Sequence, residues 1–487
     1  MTTRNPNDTT QHFNGYEDMI REMNNQDNAG GMDEEAFDEV QYAAVSNMYI
    51  KDVTREGYQG SNKRLLLWLN KKQPTCISAD AKRDLQNTFE AQVVMGASAK
   101  EKNVAVEKKA LAIIKGASAG CQPIIFENLT VEIFVKFLFA MARQNTTDGN
   151  KFLSKSGCGS YRSSLKELYR VCKVQMLPEF EAELSTKFKG LLRGHAVEKE
   201  QKGGRLGEGK DPMSFALYKL LCDKMIQDGS KTAVFAHTFL TLTWNLIARS
   251  KNTVHIHRNH IGWENDCLTV QFAHMKTDVE GGDSARKRHI YANPHCISIC
   301  APTALAKYLV AFPAKDNGMI FDDKSYARFS KFLKELIGNH KDEVEMLGVS
   351  IDDIGVHSIR KGAATYCCMG TTAAPHIAAV CNRAGWTMGK VKDTYIQYAE
   401  AGDQHVGRVV AGLPVLNVKY ACSPAYFCID NNATATENTC TAREIDAFIA
   451  LIFPFEFRIQ FKPVLIHCAA SLLFARDFFD EKFPTQR

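Results

Sequence analysis

Apolar positions recur at three- and four-residue intervals along most of this chain, and they alternate in only one short stretch. From about residue 60 to 200 the pattern is helical. Leu65, Leu66, Leu67 and Leu69 precede Asn70-Lys71-Lys72 and Pro74. Thr130 is placed to cap a helix carrying Ile133, Phe134, Phe137, Leu138 and Met141. Gly159-Ser160 precede a helix with Tyr161, Leu165, Leu168, Tyr169 and Val171 on one side and Arg162, Lys166, Arg170 and Lys173 on the other. A further helix is expected from Phe180 to about Leu192. The stretch QKGGRLGEGKDP, residues 201–212, has the composition of an exposed linker.

Beyond the linker the pattern predicts helices from Met213 to Ile226 and from Thr232 to Ser250, the second strongly apolar. CLTVQFA, from Cys267 to Ala273, alternates and is β-branched, so it reads as a strand. Arg288 to Tyr291 reads as its returning partner, with Gly281-Gly282 in the turn between them. Helices follow at Ala301–Phe312, Tyr326–Ile337, Ser358–Cys367, Ala374–Arg383 and Lys390–Ala399. The expected fold class is mainly α with a small antiparallel sheet (α+β). It comprises a helical domain over 60–200, a linker over 201–212, a second domain over 213–415 and a C-terminal extension over 416–487. No internal repeat is visible.

Composition narrows the function classes. The chain has 487 residues, 45% of them hydrophobic and 24% charged, which is enough for sizeable cores. A net charge of +5 is mildly basic and compatible with a nucleic-acid partner. Residues 1–45 form an acidic, Asn-rich leader expected to be disordered, with Asp33, Glu34, Glu35, Asp38 and Glu39 clustered in it. The most apolar tail stretch, Ile445 to Phe461, is interrupted by Asp446, Pro454, Glu456 and Arg458, so no membrane span is expected. The N-terminus has no apolar signal region, and the 15 cysteines are accordingly read as reduced thiols. His295, Cys296 and Cys300 lack a second pair at zinc-finger spacing, so no structural metal is expected there.

The chemistry concentrates in GVHSIRKGAAT, residues 355–365, and NRAGWTMGKVKDTYIQY, residues 382–398. His357 and Arg360 lie three apart at the start of a helix, where they share a face and can both donate to a phosphate. The positive end of the helix dipole adds to their potential. Gly362, Ala363 and Ala364 are small enough to let that helix approach a backbone closely. Trp386 and Tyr395 lie nine positions apart.

An H-x-x-R pair is weak by itself; the ordered combination is specific. Tyrosine recombinases have an Arg in a helix, a Lys on a β-hairpin, H-x-x-R, then His or Trp, then a Tyr nine residues later. This sequence resembles that family, with Arg249 in WNLIARSKNT, Lys276 in HMKTD, HSIR at 357–360, Trp386 and Tyr395 in the same order. AGWTMGKVKDTYI is similar to the matching segment of phage-type members. EGKDPMSF, NPHCISICAPTALAKYL, VGRVVAGLP and SPAYF resemble Crypton-type recombinases of eukaryotic DNA transposons. The family usually carries an acidic residue three after the first Arg; here it is Asn252.

The resemblance implies a helical core-binding domain plus a tyrosine-recombinase catalytic domain that clamp double-stranded DNA. It implies a Tyr395 nucleophile that forms a 3′-phosphotyrosine, and phosphate clamping by Arg249 and Arg360 with donors from His357 and Trp386. It makes Lys276 the general acid. No cofactor and no metal is implied. Homo-tetramers on synapsed sites, mobilisation of its own transposon and a nuclear location follow as expectations; the basic runs KKQ and ARKRH are weak import signals. Tyr398 is the rival nucleophile and Lys287 the rival acid. His274, Arg286 and Arg288 are read as phosphate contacts or plain surface. Two other functions compete: a domesticated, non-catalytic DNA-binding protein derived from such a recombinase, and a type IB topoisomerase.

Overall fold

The computed structural model describes residues 50, 52–144, 155–201, 209–272, 286–312, 318–386, 400–428, 440–455 and 457–482. The acidic leader, the Gly281-Gly282 turn, the helix expected at 390–399, and Lys276, Tyr395 and Tyr398 lie outside the described residues. The chain divides into two compact units, with the boundary between Glu208 and Gly209.

Among its described residues the first unit is built of helices joined by short loops, with isolated bridges and no strand. Its α-helices are α1 (Asp52–Lys72), α2 (Ala79–Val94), α3 (Ala99–Lys115), α4 (Val131–Gln144), α5 (Lys155–Val171) and α6 (Pro178–Gln201). Their starts follow from local chemistry. Ser78 accepts from the Ala81 amide, Ser98 and Glu101 form a reciprocal capping box, and the Thr130 hydroxyl accepts from the Ile133 amide. The core gathers Leu65, Leu66 and Leu69 of α1, Phe134, Phe137 and Leu138 of α4, and Leu165 and Leu168 of α5. Each buried side chain of this size contributes about 1.5–3 kcal/mol. Asn62, also buried, donates from Nδ2 to the Ser164 carbonyl at 2.9 Å and so ties α1 to α5.

Two helices run further than the sequence predicts. α5 starts at Lys155, so Gly159 and Ser160 lie inside it. Its apolar stripe extends back to Cys158, which is fully buried. α6 continues from Pro178 to Gln201, past Leu192, beyond its buried stripe of Leu184, Phe188 and Leu191.

In the second unit, α7 (Phe215–Asp228) is capped by Ser214 and ended by Gly229 at φ 63°. α8 (Lys231–Asn245) is capped by Ser230 and is buried along nearly its whole length from Ala233 onward. It is the central rod of this unit, with α7, α10 and α13 packed on it. It ends four residues before Arg249, earlier than expected, because the chain reverses through Ile247 at φ 48°. Arg249 therefore caps the next short helix, α9 (Ser250–Val254), rather than ending α8.

The sheet is antiparallel, in the order β1 (Ile261–Glu264), β2 (Cys267–Val270), β3 (Arg288–Tyr291). Ile261 pairs with Val270, and Cys267 with Tyr291. β3 has the expected bounds and β2 is shorter than expected. β1 is unexpected from the sequence: a four-residue strand containing Gly262 gives no alternation long enough to read.

The remaining helices are α10 (Ala301–Ala311), α11 (Ser325–Asn339), α12 (Lys341–Met346), α13 (Val356–Met369), α14 (Ile377–Ala384), α15 (Glu400–Val410), α16 (Ala442–Ile452), α17 (Lys462–Phe474) and α18 (Arg476–Lys482). α16 and α17 belong to the tail beyond 416, yet their Ile445, Ile449, Val464, Leu465, Cys468 and Ala469 are buried in the same core as α8 and α10. α17 packs on α10 and β1, and its His467 stacks on Trp263 at 3.8 Å. Among the described residues no helix is long and apolar enough to cross a membrane.

Two glycines set close approaches. A Cβ at Gly362 of α13 would meet the Met213 carbonyl oxygen at 2.0 Å. One at Gly407 of α15 would meet the His289 carbonyl oxygen at 2.2 Å. The first is the close backbone contact that Gly362 was expected to permit.

Candidate active site

Four of the six predicted site residues are described, and the fold places them on the loop after α8, on α13 and just past α14. Arg249 leaves the α8 end with its carbonyl accepting from the amides of Asn252 and Thr253, which fixes its backbone. Its Nη1 is buried and has no hydrogen-bond partner among the described residues. Arg360 lies one turn into α13 and donates to the Ala384 carbonyl at the end of α14. Its guanidinium stacks over the Trp386 ring, 5.1 Å from the centroid. Trp386 is 37% exposed and thus closes one side of the Arg360 position rather than filling the core. His357 is exposed in the first turn of α13, whose start is held by the Gly355 amide donating to the Ser358 hydroxyl at 3.0 Å.

A third guanidinium joins them. Arg288 on β3, read from the sequence as a phosphate contact or surface residue, is only 2% exposed. Its Nη1 donates to the Arg286 carbonyl at 2.7 Å, and its guanidinium lies over Phe272 at 4.7 Å. β3 turns it inward, and the aromatic face covers its charge. Burial, and then the charges of Arg249 and Arg288, pull the Arg360 pKa from 12.5 down to about 10. Arg360 remains charged at neutral pH, but each of these cations raises the cost of the others. No ion pair with a carboxylate relieves Arg249 or Arg360 among the described residues. A cationic cluster left in that condition is an anion site in waiting.

A buried ion pair holds the cluster together. Arg383, 1% exposed, pairs with Asp403 of α15 at 2.7 Å. Its other nitrogens donate to the Asn245 carbonyl at 2.9 and 3.1 Å and to the His289 carbonyl at 2.8 Å. Asp403 Oδ2 accepts from both the amide and Nδ1 of His289, each at 2.9 Å. Burial opposes the Asp403 charge, but Arg383 and the His289 donors outweigh it and hold the carboxyl at about 2. The tie joins the end of α8, β3, α14 and α15. Those are the elements from which Arg249, Arg288 and the Arg360 acceptor Ala384 project. Arg383 and Asp403 are positioning residues that the sequence reading passed over. The available signal was an unassigned arginine three residues before Trp386.

Lys276 and Tyr395 lie outside the described residues, as does His274. Lys287, the rival acid, pairs with Glu264 of β1.

No family model matches the chain, and no curated protein matches it. Among solved structures it is similar to the XerH site-specific recombinase bound to difH substrate in a pre-cleavage complex. The identity is 14%, with 72% of this chain and 94% of that chain covered and a TM-score of 0.36. It is also similar to a Flpe–Holliday junction complex, at 13% identity, 81% and 96% coverage and a TM-score of 0.37. The functional reading therefore stands on the residues of this chain.

Proposed function

We propose that this protein is a site-specific DNA recombinase of the tyrosine type, cutting and rejoining duplex DNA through a 3′-phosphotyrosine. The observation that carries the reading is the Arg249–Arg360 cluster. Two guanidiniums 111 positions apart in sequence come together beside Trp386, and neither has a carboxylate partner among the described residues. Strand cleavage builds negative charge on the two non-bridging phosphate oxygens, and forked donors fixed beforehand stabilise that charge where it develops.

The Tyr395 Oη attacks phosphorus and gives up its proton to solvent, the bond to the 5′-oxygen breaks, and Lys276 supplies the proton that the leaving oxygen takes up. His357 donates a further hydrogen bond from the helix start. The covalent phosphodiester is conserved in the intermediate, so a second 5′-hydroxyl reverses the step with no nucleotide cofactor. The proposal extends to a homo-tetramer on two synapsed duplexes, to mobilisation of a Crypton-like transposon, and to action in the nucleus.

The test is a suicide DNA substrate whose cleaved strand diffuses away. The protein accumulates as a covalent adduct, and Tyr395→Phe abolishes the adduct while duplex binding stays within about twofold. An adduct that survives in Tyr395→Phe and disappears in Tyr398→Phe moves the nucleophile by three residues. No adduct with any duplex sequence drawn from the flanks of the gene removes the activity.

A further inference from the structure

We propose that Glu264, His289 and Glu400 form a binding site for a divalent transition-metal ion of the zinc class. The three residues come from β1, β3 and the first position of α15. One donor atom from each lies within 4.8 Å of the other two. They are spread over more than a hundred positions of sequence, so no spacing motif announces them.

His289 carries the argument. It is 2% exposed, and its Nε2 is buried with no hydrogen-bond partner among the described residues. Its Nδ1 faces Asp403 Oδ2 at 2.9 Å, and the same oxygen accepts from the His289 amide at 2.9 Å. Nδ1 therefore donates to Asp403, which leaves Nε2 as the ring nitrogen facing Glu400 Oε1, 3.4 Å away, and open to a metal ion. That separation matches the ligand-to-ligand distance of a tetrahedral zinc shell, about 3.4 Å for bonds of about 2.0–2.2 Å. A carboxylate behind a histidine, fixing its tautomer and raising its basicity, is the usual outer support of a metal-bound imidazole.

Charge and mobility agree with this. Two carboxylates and an imidazole, which binds a metal through its unprotonated nitrogen, present a net −2 to a dication. Both glutamates are partly exposed, so they are free to close the remaining gap, whereas the histidine is fixed. Lys287 pairs with Glu264 and is the cation an entering ion must displace. An imidazole nitrogen with two carboxylates suits zinc, and a fourth position remains for water. The ion would staple the start of α15 to the sheet. On the recombinase reading it would also fix the chain five residues after Tyr395, but the site itself does not depend on that activity.

The experiment uses the full chain without DNA, stripped with a chelator and then titrated with Zn²⁺ against a chromophoric competitor. Wild type binds one tight equivalent. Glu264→Gln and Glu400→Gln each weaken it at least tenfold, and Lys287→Ala tightens it by removing the competing cation. Those two glutamate substitutions lie on partly exposed side chains, so folding is checked by an unchanged circular dichroism spectrum. Replacing Zn²⁺ by Co²⁺ gives weak ligand-field bands with no thiolate charge-transfer band. The proposal is overturned if wild type binds no stoichiometric ion or if the glutamate variants bind as tightly as wild type. A thiolate band from the bound cobalt would also overturn it, placing the ion on cysteines.

Discussion

The Arg249–Arg288–Arg360 cluster makes a quantitative prediction that needs no DNA. The Arg360 guanidinium stands at about 10 instead of 12.5 because it is buried beside two like charges. At about 1.36 kcal/mol per pH unit, that gap is on the order of 3 kcal/mol of unfavourable charging free energy. Arg360 is partly open to solvent, and screening there reduces the figure to roughly 1–2 kcal/mol. A dianion seated between the guanidiniums offsets the like-charge part of that cost, so its binding to the folded state alone stabilises it by an amount of this order, roughly 1–2 kcal/mol. For a unit of this size about 1 kcal/mol moves the midpoint by roughly 2–4 °C, so saturating sulfate raises the thermal midpoint of wild type by about 2–8 °C.

Sulfate also stabilises proteins generally, through its exclusion from their surface. The informative quantity is therefore the difference between wild type and Arg360→Ala, each scanned in sulfate and in chloride at matched ionic strength. The variant keeps the general increment and loses the specific one, whatever its own baseline stability. An equal sulfate increment in both proteins would refute the reasoning. The guanidiniums would then not converge on a common anion position, and the proposed phosphate clamp would lose its physical basis.

Four further outcomes are expected. Asp403→Asn leaves the Arg383 charge buried without its partner and destabilises the second unit by about 3–5 kcal/mol in denaturant titration; a loss below about 1 kcal/mol contradicts the tie. In wild type the Asp403 carboxyl lies at about 2 in the folded state, below its ordinary 3.8. Its contribution, on the order of 2 kcal/mol, is present above about pH 4 and disappears as the pH falls towards 2, a slope that Asp403→Asn lacks. Cleavage of pre-bound DNA shows no dependence on added Mg²⁺, because on the recombinase reading Arg249 and Arg360 take the charge-stabilising role that metal ions fill in two-metal nucleases; a strict Mg²⁺ requirement of the chemical step removes them from that role. Lys276→Ala slows cleavage of ordinary DNA at least a hundredfold, and a 5′-bridging phosphorothiolate, whose thiolate leaves unprotonated, restores most of the rate, whereas Arg249→Ala is not rescued to the same degree; equal rescue of both transfers the acid role to Lys287.

How much of this was legible in the sequence depends on what each residue does. Helices with a long one-sided apolar stripe were readable, because burial of Leu, Phe and Ile at three- and four-residue spacing is itself the cause of the helix. Thr130, with a capping hydroxyl before such a stripe, was equally plain. The ends were less so. α8 stops at Asn245 because of one left-handed residue, Ile247, and nothing in an apolar run announces a β-branched residue at positive φ. β1 escaped because four residues are too few to show a period. Lys276 and Tyr395, legible by order and spacing, are placed by the resemblance alone.

The site divides along the same line. Arg249, His357, Arg360 and Trp386 were legible through a resemblance in which they touch the reacting phosphate. Arg383, Asp403 and His289 touch only other parts of the protein, and a buried polar residue looks in sequence like any exposed one. Yet these are the groups that make the exposed chemistry workable. Three guanidiniums repel, and the energy that keeps them together has to come from elsewhere in the unit. The Arg383–Asp403 pair supplies it by closing four backbone elements around one carboxylate, with carbonyls from two of them accepting from the same guanidinium. A substitution at Asp403 and one at Arg360 should therefore both abolish anion binding but differ in stability. The first releases the cluster and loses both stability and anion binding; the second relieves repulsion and loses anion binding alone.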